Sequence, residues 1–185
     1  MTVEEEQPLS VVIVGASGGL GRPIAERLSQ SGALLTLVGR DRDRLNALGL
    51  AGHVMATDIR KVGAAQRVMQ EAVNRHGRVD GVVNNAGILE TQMRLEQMEL
   101  ARWQRVFATN VFGSFLCCRE AIKRMSTRQG GNGGAIVNLS SAAARLGAPG
   151  EYIDYAAAKG AIDSMTLGLA KEVAADGIRV NAVRP

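Results

Sequence analysis

The chain has 185 residues, 46% of them hydrophobic and 22% charged, and this balance excludes a wholly disordered protein. Aromatic residues make up only 3%, and the net charge of +4 is spread without a basic block, which argues against nucleic-acid binding. No apolar run reaches the roughly 18 residues that would span a bilayer. The acidic start MTVEEE is unlike the basic start of a signal peptide, so we expect a cytoplasmic protein.

Short apolar runs alternate with helical patterns along almost the whole chain. The runs predict strands over residues 9–14, 34–38, 53–56, 79–83, 135–139 and 178–183. The helical spacings predict helices over 20–28, 62–75, 95–125 and 155–174, and a helix capped by Asp41 that ends at 48. This alternation predicts right-handed βαβ units, and hence an α/β fold with a Rossmann-like doubly wound parallel sheet in one domain, 1–185.

The sequence supports more detailed predictions for two of the helices and for the two cysteines. In the helix over 62–75, we expect Val62, Ala65, Met69, Ala72 and Val73 to face the core. The long helix over 95–125 is expected to bend near Trp103. The only cysteines are adjacent, at 117 and 118, so we expect reduced thiols that join no distant segments, and we expect no metal site.

A glycine-rich turn, GASGGLG at 15–21, lies between the first strand and the first helix. Gly15 allows a tight turn, Gly19 lets backbone approach a pyrophosphate, and Gly21 lets the helix pack close to the strand. The alternative is an ordinary glycine-rich turn, because the spacing GxxxGxG differs from the common dinucleotide fingerprint GxGxxG. The residues of this turn predicted to bind a cofactor are Gly15, Ser17, Gly18, Gly19, Leu20 and Gly21.

The end of the second strand bears on the choice of nicotinamide cofactor. A site for NAD places an acid here for the ribose 2′-hydroxyl, but Gly39 stands at that position and Arg40 follows it. A guanidinium suits a 2′-phosphate, so we expect NADP(H) to be favoured over NAD(H). Arg40 could also be simply solvated, and Asp41 or Asp43 could supply the acid.

Tyr155 and Lys159 are four residues apart, which places a phenol and an amine on one face of a helix. Free tyrosine is a poor base at neutral pH, but a nearby cation lowers the pKa of a phenol and makes proton exchange with an alcohol or carbonyl plausible. The serines at 140 and 141 close the preceding strand, where a hydroxyl could hold a carbonyl oxygen. A YxxxK spacing occurs by chance on many helices, and serines are common in loops. Only the two features together therefore indicate a catalytic site.

Six motifs follow one another in the order of one known family. They are GxxxGxG at 15–21, NNAG at 84–87, Asn110, the serine pair at 140–141, YxxxK at 155–159 and RVNAVRP at 179–185. The sequence resembles the short-chain dehydrogenases/reductases over nearly its whole length, and the motifs are specific as a set. The resemblance implies an NAD(P)-dependent enzyme that interconverts a secondary alcohol and a ketone, acts on a small molecule, and forms a homo-oligomer if the chain is complete.

The resemblance also implies roles for individual residues. Tyr155 is the acid/base, Lys159 lowers its pKa and holds the nicotinamide ribose, and Ser141 polarises the carbonyl in preference to Ser140. Asn110 supports a water relay that reaches Lys159. Further residues would lie along the cofactor: Asp58 and Ile59 beside the adenine, and Asn85, Ala86 and Gly87 in the NNAG turn.

The sequence departs from the family pattern at three places. Val14 replaces a threonine, and the spacing from Ser141 to Tyr155 is one residue longer than usual. Family members continue beyond a position like Pro185 with a substrate loop, a strand and a helix, so we expect the sheet to lack the family's last strand and helix. The rival interpretation is therefore a non-catalytic or truncated dinucleotide-binding protein without a complete substrate pocket.

Overall fold

The computed structural model describes residues 7–185, in which six strands form one parallel sheet. The strands are β1 (Ser10–Val14), β2 (Leu34–Gly39), β3 (His53–Ala56), β4 (Gly81–Asn84), β5 (Gly134–Leu139) and β6 (Ile178–Val183). Their order is β3-β2-β1-β4-β5-β6. The predicted α/β Rossmann-like sheet is confirmed, and each predicted strand lies within about two residues of the observed one.

Seven α-helices connect and cover the strands of the described chain. They are α1 (Gly21–Gln30), α2 (Arg42–Asn46), α3 (Ala64–His76), α4 (Leu100–Phe107), α5 (Gly113–Met125), α6 (Ala143–Leu146) and α7 (Ile153–Glu172). Alternate residues of β1 enter two different apolar clusters: Val12 and Val14 pack in the cluster with α3 and α5, and Val11 and Ile13 in the cluster with α1. Helices therefore cover both faces of the sheet, which is why β1 reads as a continuous apolar run.

The long helical pattern over 95–125 is broken at a different place from the one expected. After a short 3₁₀ turn at Leu95–Gln97, α4 begins at Leu100 and runs past Trp103 without a break. The interruption is a π-helical turn at Ala108–Phe112, which joins α4 to α5 and carries Asn110. The expected bend near Trp103 is wrong, because a π turn inserts a residue without the proline or glycine signal that marks other helix breaks.

The inward face expected for α3 also needs one correction. Val62 is 97% exposed, because the helix begins only after Gly63, whose left-handed φ of 74° turns the chain. The buried side chains of α3 are Ala64, Ala65, Val68, Met69 and Ala72. Apolar spacing alone extended the predicted helix by two residues into the preceding loop.

Candidate active site

Two turns interlock at the carboxyl end of the central strands. The backbone N–H of Asn85 donates to the carbonyl of Val14 at 3.0 Å, and its side-chain Nδ2 donates to the carbonyl of Gly15 at 2.8 Å. Gly15 has a φ of 82°, and a Cβ there would lie 2.8 Å from the backbone of Ala86. A side chain at position 15 would therefore be strained and would collide with the NNAG turn.

A groove of about 250 Å³ runs along these two turns and the end of β2. It brings together most of the residues predicted to bind a cofactor: Gly15, Ser17, Gly18, Arg40, Asp58, Ile59, Asn85, Ala86 and Gly87. The sequence interpretation missed other residues of its lining, among them Arg44, Thr57, Arg60, Ile88 and Thr109. Arg44 lies in α2 beyond its cap Asp41, so its place beside the groove follows from packing and not from a sequence motif.

Gly19, Leu20 and Gly21 lie outside the lining of the groove, at the N-terminus of α1. No side chain among residues 7–185 caps this helix, and its first turn holds no acid. The first N–H groups of a helix lack partners within the helix and carry a partial positive charge. The end of α1 therefore suits an anion such as a pyrophosphate.

The groove carries an uneven distribution of charge. Arg60 binds both carboxylate oxygens of Asp58, with a closest distance of 2.6 Å. These hydrogen bonds lower the pKa of Asp58 to about 2, and the nearby charge of Arg40 also lowers it. Asp41 caps α2 as predicted, because its carboxylate accepts from the N–H of Arg44 at 3.1 Å. Both carboxylates are thus already engaged, and Arg40 is exposed at the rim.

Lys159 lies under the carboxyl ends of β4 and β5, where several predicted residues meet. Its Nζ donates to the carbonyl of Leu139 at 2.5 Å and lies 5.5 Å from the centre of the Tyr155 ring. A Cβ at Gly87 would lie 3.7 Å from this Nζ and 2.7 Å from Oδ1 of Asn110. Gly87, which lines the groove, therefore lies close to both Asn110 and Lys159, and a side chain there would collide with Asn110.

Burial lowers the pKa of Lys159 from its ordinary value of 10.5 to about 8, although the charge of Asp163 acts to raise it. Asp163 lies one helical turn further on and is paired with Arg184 at 2.9 Å. The Lys159 side chain is thus a buried cation without a carboxylate of its own, which is costly unless a ligand or partner compensates.

Both polar atoms of the Asn110 side chain bind the backbone of one neighbour, Ile88. Its Oδ1 accepts from the N–H of Ile88 and its Nδ2 donates to the carbonyl of the same residue, both at 2.9 Å. This pair of bonds holds the loop that follows the NNAG turn against the π turn of the long helix.

A second, more open pocket of about 600 Å³ lies beside Tyr155. Tyr155 and Ser141 both line it, whereas Ser140 is buried and donates to the backbone carbonyl of Lys159. Tyr152 also lines the pocket; its sequence makes it a rival phenol to Tyr155, but no basic residue lies four positions after it. The remaining lining was missed from sequence because it comes from α6 and from loops without a motif: Leu89, Ala143, Leu146, Ala148, Pro149 and Glu151. The two serines are thus separated by burial, which the sequence could not show.

Other kinds of site find less support. Within residues 7–185, no three His, Cys, Asp or Glu side chains are grouped as metal ligands would be. The same part of the chain contains no helix that is long and apolar enough to cross a membrane. Cys117 and Cys118 are free and buried, and burial raises the pKa of both thiols, that of Cys118 to about 12.

The packing of the glycine turn predicts the effect of two matched substitutions. A Cβ at Gly21 would collide with the carbonyl of Gly15 and lie 2.8 Å from Nδ2 of Asn85, whereas a Cβ at Gly19 meets nothing within 4 Å. We expect Gly21→Ala to lower the free energy of unfolding by about 1–3 kcal/mol or more, as overpacking does, and Gly19→Ala to leave it nearly unchanged. Urea unfolding of both variants checks this, and equal stabilities would contradict it.

The lowered pKa of Lys159 makes folding stability depend on pH. Between about 8 and 10.5 the unfolded chain binds more protons at this lysine than the folded chain does, so its contribution makes stability rise with pH over that window. Below pH 8 the buried charge costs roughly 3 kcal/mol, given about 1.36 kcal/mol per pKa unit. We expect Lys159→Met to be more stable than the unsubstituted protein at pH 7, with the difference shrinking at pH 10.

The matched control for this prediction is Lys171→Met, an exposed position on the same helix. Denaturant unfolding without added nucleotide measures both variants at the two pH values. A Lys159→Met variant whose stability relative to the unsubstituted protein is the same at pH 7 and pH 10 would contradict the assignment of a buried, costly charge.

Comparison with known proteins agrees with this geometry. The family model described as short chain dehydrogenase matches residues 10–185. The chain is 48% identical over 183 residues to the uncharacterised oxidoreductase YgfF of Escherichia coli K12, covering 94% of this chain and 74% of that protein. It is 34% identical to a 3beta-hydroxysteroid dehydrogenase of Mediterraneibacter gnavus, covering 95% of this chain and 64% of that one.

A solved structure extends the agreement to three dimensions. The structure described as ElxO with NADP bound superposes with a TM-score of 0.88 at 28% identity, over 97% of this chain and 73% of that one. The present chain thus spans 64 to 74% of the length of these three proteins. The family match covers the interlocked turns, the groove, Lys159 and Tyr155. The chain therefore belongs to the short-chain dehydrogenase/reductase family of NAD(P)-dependent oxidoreductases.

Proposed function

We propose that the protein is an NADP-preferring oxidoreductase that interconverts a secondary alcohol and a ketone, with Tyr155 as its acid/base. The observation that supports this most is the placement of Tyr155. Its phenol lines the open pocket together with Ser141, while Lys159 lies 5.5 Å from its ring on the side of the nucleotide groove. A carbonyl carbon in the pocket could thus face a nicotinamide in the groove.

The groove fits a nicotinamide dinucleotide on two grounds. The uncapped N-terminus of α1 suits the pyrophosphate, and the groove extends along the NNAG turn to Gly87, which lies close to Lys159. The residues that would hold the nucleotide are those of the glycine turn, Arg40, Asp58, Ile59 and the NNAG turn, together with Lys159. When bound, the nicotinamide supplies or accepts the hydride, which the protein itself cannot provide.

The chain's own residues would handle the proton and the oxygen. The hydroxyl of Ser141 donates a hydrogen bond to the carbonyl oxygen, and the phenol of Tyr155 gives its proton to that oxygen during reduction. The ammonium of Lys159 stabilises the phenolate that remains. Asn110 is committed to the backbone of Ile88, so its side chain positions the cofactor loop, and a water relay near it would use the backbone.

Arginine placement supports a preference for NADP over NAD. Arg40 is exposed at the rim of the groove, and Arg44 points an Nη2 to within 3.5 Å of the Ser17 carbonyl. A Cβ at Gly39 would lie 3.3 Å from the side chain of Leu45, so an acid at that position would displace its neighbours. With Asp41 used as a helix cap, guanidinium groups dominate where a ribose 2′-phosphate would lie.

For the substrate, the oligomeric state and the cellular location, we propose only the general class. Much of the lining of the open pocket is apolar, including Leu89, Leu146 and Pro149, which suits a small neutral alcohol or ketone. The relative from M. gnavus is named for a hydroxysteroid, an apolar secondary alcohol. A homo-oligomer in the cytoplasm, and a single domain over 1–185, remain predictions that size measurement, cell fractionation and limited proteolysis would check.

The role of Tyr155 predicts a loss of turnover without a loss of binding. We expect Tyr155→Phe to lower kcat by about 10²–10⁴-fold with a ketone substrate, because it removes the proton donor, and to leave NADPH affinity within about three-fold. Initial rates at 340 nm and NADPH fluorescence titration measure the two quantities.

A second tyrosine, Tyr152, provides the comparison for this experiment. Tyr152 lines the same pocket but has no lysine four residues after it, so Tyr152→Phe should change KM more than kcat. A Tyr155→Phe variant with normal kcat would refute the acid/base assignment. Retained NADPH binding without turnover of any ketone by the unsubstituted protein would favour the rival interpretation, a non-catalytic dinucleotide-binding protein.

The preference for NADP rests on Arg40 and is tested by its removal. We expect Arg40→Ala to weaken NADPH binding by about 1.5–3 kcal/mol, the worth of a hydrogen bond to a charged group, and to leave NADH binding nearly unchanged. Arg42→Ala is the matched control, because Arg42 is exposed on α2 and lies outside the groove lining. Equal losses for both nucleotides on titration would show that Arg40 does not discriminate.

A further inference from the structure

One ion pair of the described chain, Arg102 with Asp154, has both side chains buried. Arg102 lies on α4 and Asp154 in the first turn of α7, 52 residues away. The guanidinium meets the carboxylate through two hydrogen bonds, Nε to Oδ2 at 2.7 Å and Nη2 to Oδ1 at 3.2 Å. This two-point contact fixes orientation as well as distance between the helices.

The two partners also bind the backbone on either side of the candidate active site. Oδ1 of Asp154 accepts from the N–H of Tyr155 at 2.9 Å, and Nη1 of Arg102 donates to the carbonyl of Thr91 at 2.6 Å. Thr91 lies in the loop that carries the NNAG turn and Leu89, which line the groove and the open pocket. The ion pair therefore joins the backbone of Tyr155 to the loop on which the nucleotide and substrate would rest.

The charge state of the pair suits this arrangement. Burial alone would raise the pKa of Asp154, but its hydrogen bonds to Arg102 and to the Tyr155 N–H hold that pKa below its usual range. Asp154 also lies at the N-terminus of α7, where a negative charge is favoured by the helix dipole. Both groups thus stay ionised, and Nη1 of Arg102 and Oδ1 of Asp154 each have a backbone partner as well.

A buried pair of this kind contributes little net stability compared with apolar residues of similar volume, because desolvation offsets the attraction. What such a pair does impose is a defined geometry between the elements it joins. Nothing in the motifs of the family resemblance includes Arg102 or Asp154, so their placement beside Tyr155 is a separate observation.

We infer that Arg102 and Asp154 form a positioning pair that fixes the first turn of α7, and with it the phenol of Tyr155, against the loop 85–94. The inference rests on the proposed role of Tyr155. The pair touches neither substrate nor cofactor and acts through Tyr155 and Thr91. Its loss should misplace the phenol while leaving the nucleotide groove in place.

A double-mutant cycle separates the effect of the ion pair on the position of Tyr155 from its effect on folding stability. The variants are Arg102→Met, Asp154→Val, and the two combined, in the longest natural form of the chain. Each single change leaves one buried charge without its partner and should lower the melting temperature, whereas the double variant should melt within about 3 °C of the unsubstituted protein. In all three we expect kcat to fall by about 10–100-fold, because a misplacement near 1 Å costs that much.

Two further readouts identify the cause of the lower kcat. KM for the ketone and the Kd of NADPH should stay within about three-fold in the double variant, because the groove does not include either residue. Hydrogen exchange should become faster in peptides covering 88–94 and 153–156, where the Thr91 carbonyl and Tyr155 N–H lose their partners, and stay unchanged in β1.

Glu90→Gln is the matched control. Glu90 pairs with Arg105 at 2.9 Å and so also joins the loop to α4, but this pair is exposed and does not reach α7. We expect kcat within about two-fold of the unsubstituted protein, as for exposed ion pairs that contribute little. A ten-fold loss in this control would show that any tie to α4 matters, and would overturn the specific role of Arg102 and Asp154.

The remaining outcomes also decide the question. A double variant that regains both stability and kcat would show that the pair only stabilises the fold. If the double variant does not fold, Arg102→Lys keeps the charge without the planar fork, and normal kcat in that folded variant would overturn the inference. If Tyr155→Phe keeps full turnover, the proposed acid/base role of Tyr155 is refuted independently of the ion pair. Hydrogen exchange then becomes the measurement that tests whether the pair holds the first turn of α7.

Discussion

The hydrogen bond from Asn85 Nδ2 to the carbonyl of Gly15 holds together the two turns on which the groove depends. It can form because the strand order places β1 beside β4, with Val14 opposite Asn84 in the register of the pair. This is the point where the sheet order reverses, and in open α/β sheets ligands bind in the crevice at that point. The absence of a Cβ at Gly15 lets the backbone of Ala86 approach closely enough for the bond to form.

A chain of buried polar groups extends the same constraint toward α7. Asn84 donates to Asn138 at 2.9 Å, Asn138 donates to Thr166 at 3.0 Å, and Thr166 donates to the carbonyl of Ile162. The first two links cross between neighbouring elements, from β4 to β5 and from β5 to α7, and the third lies within α7. Polar groups inside a core permit few alternative arrangements, because any shift leaves a buried group without a partner. The position of α7 relative to the sheet is thus closely defined at Thr166, about two turns beyond Lys159.

The sequence predicted the parts of this structure that depend on local signals. The strands were evident from apolar runs, the cap at Asp41 from its residue type, and the glycine turn from its spacing. Burial was harder to predict from the sequence. Ser140 and Ser141 are adjacent and identical, and only the packing shows that Ser140 is buried and that Ser141 lines a pocket. The π turn around Asn110 has no sequence signature that period or composition detects.

The residues missed altogether are those that act across long sequence separations. The guanidinium of Arg102 and the carboxylate of Asp154 come together from positions 52 residues apart, and no spacing rule links them. Either residue would ordinarily be read as part of a solvated helix face, since charged side chains are seldom fully buried unless they are paired. Local patterns therefore predict which residues carry chemistry better than they predict which residues hold them in place.

Charge is distributed unequally along α7, the helix that carries both Tyr155 and Lys159. At its first turn, Asp154 is buried but neutralised by Arg102, so the charge there is stable in the folded chain. One turn after Tyr155, the buried ammonium of Lys159 has only a carbonyl as its hydrogen-bond partner, and the acid beyond it is taken by Arg184. The fold therefore balances the buried charge at Asp154 but holds the ammonium of Lys159 where burial disfavours it, although both residues lie on one helix. Because the helix itself sets the spacing of Asp154, Tyr155 and Lys159, the paired and the unpaired charge keep a constant separation along it.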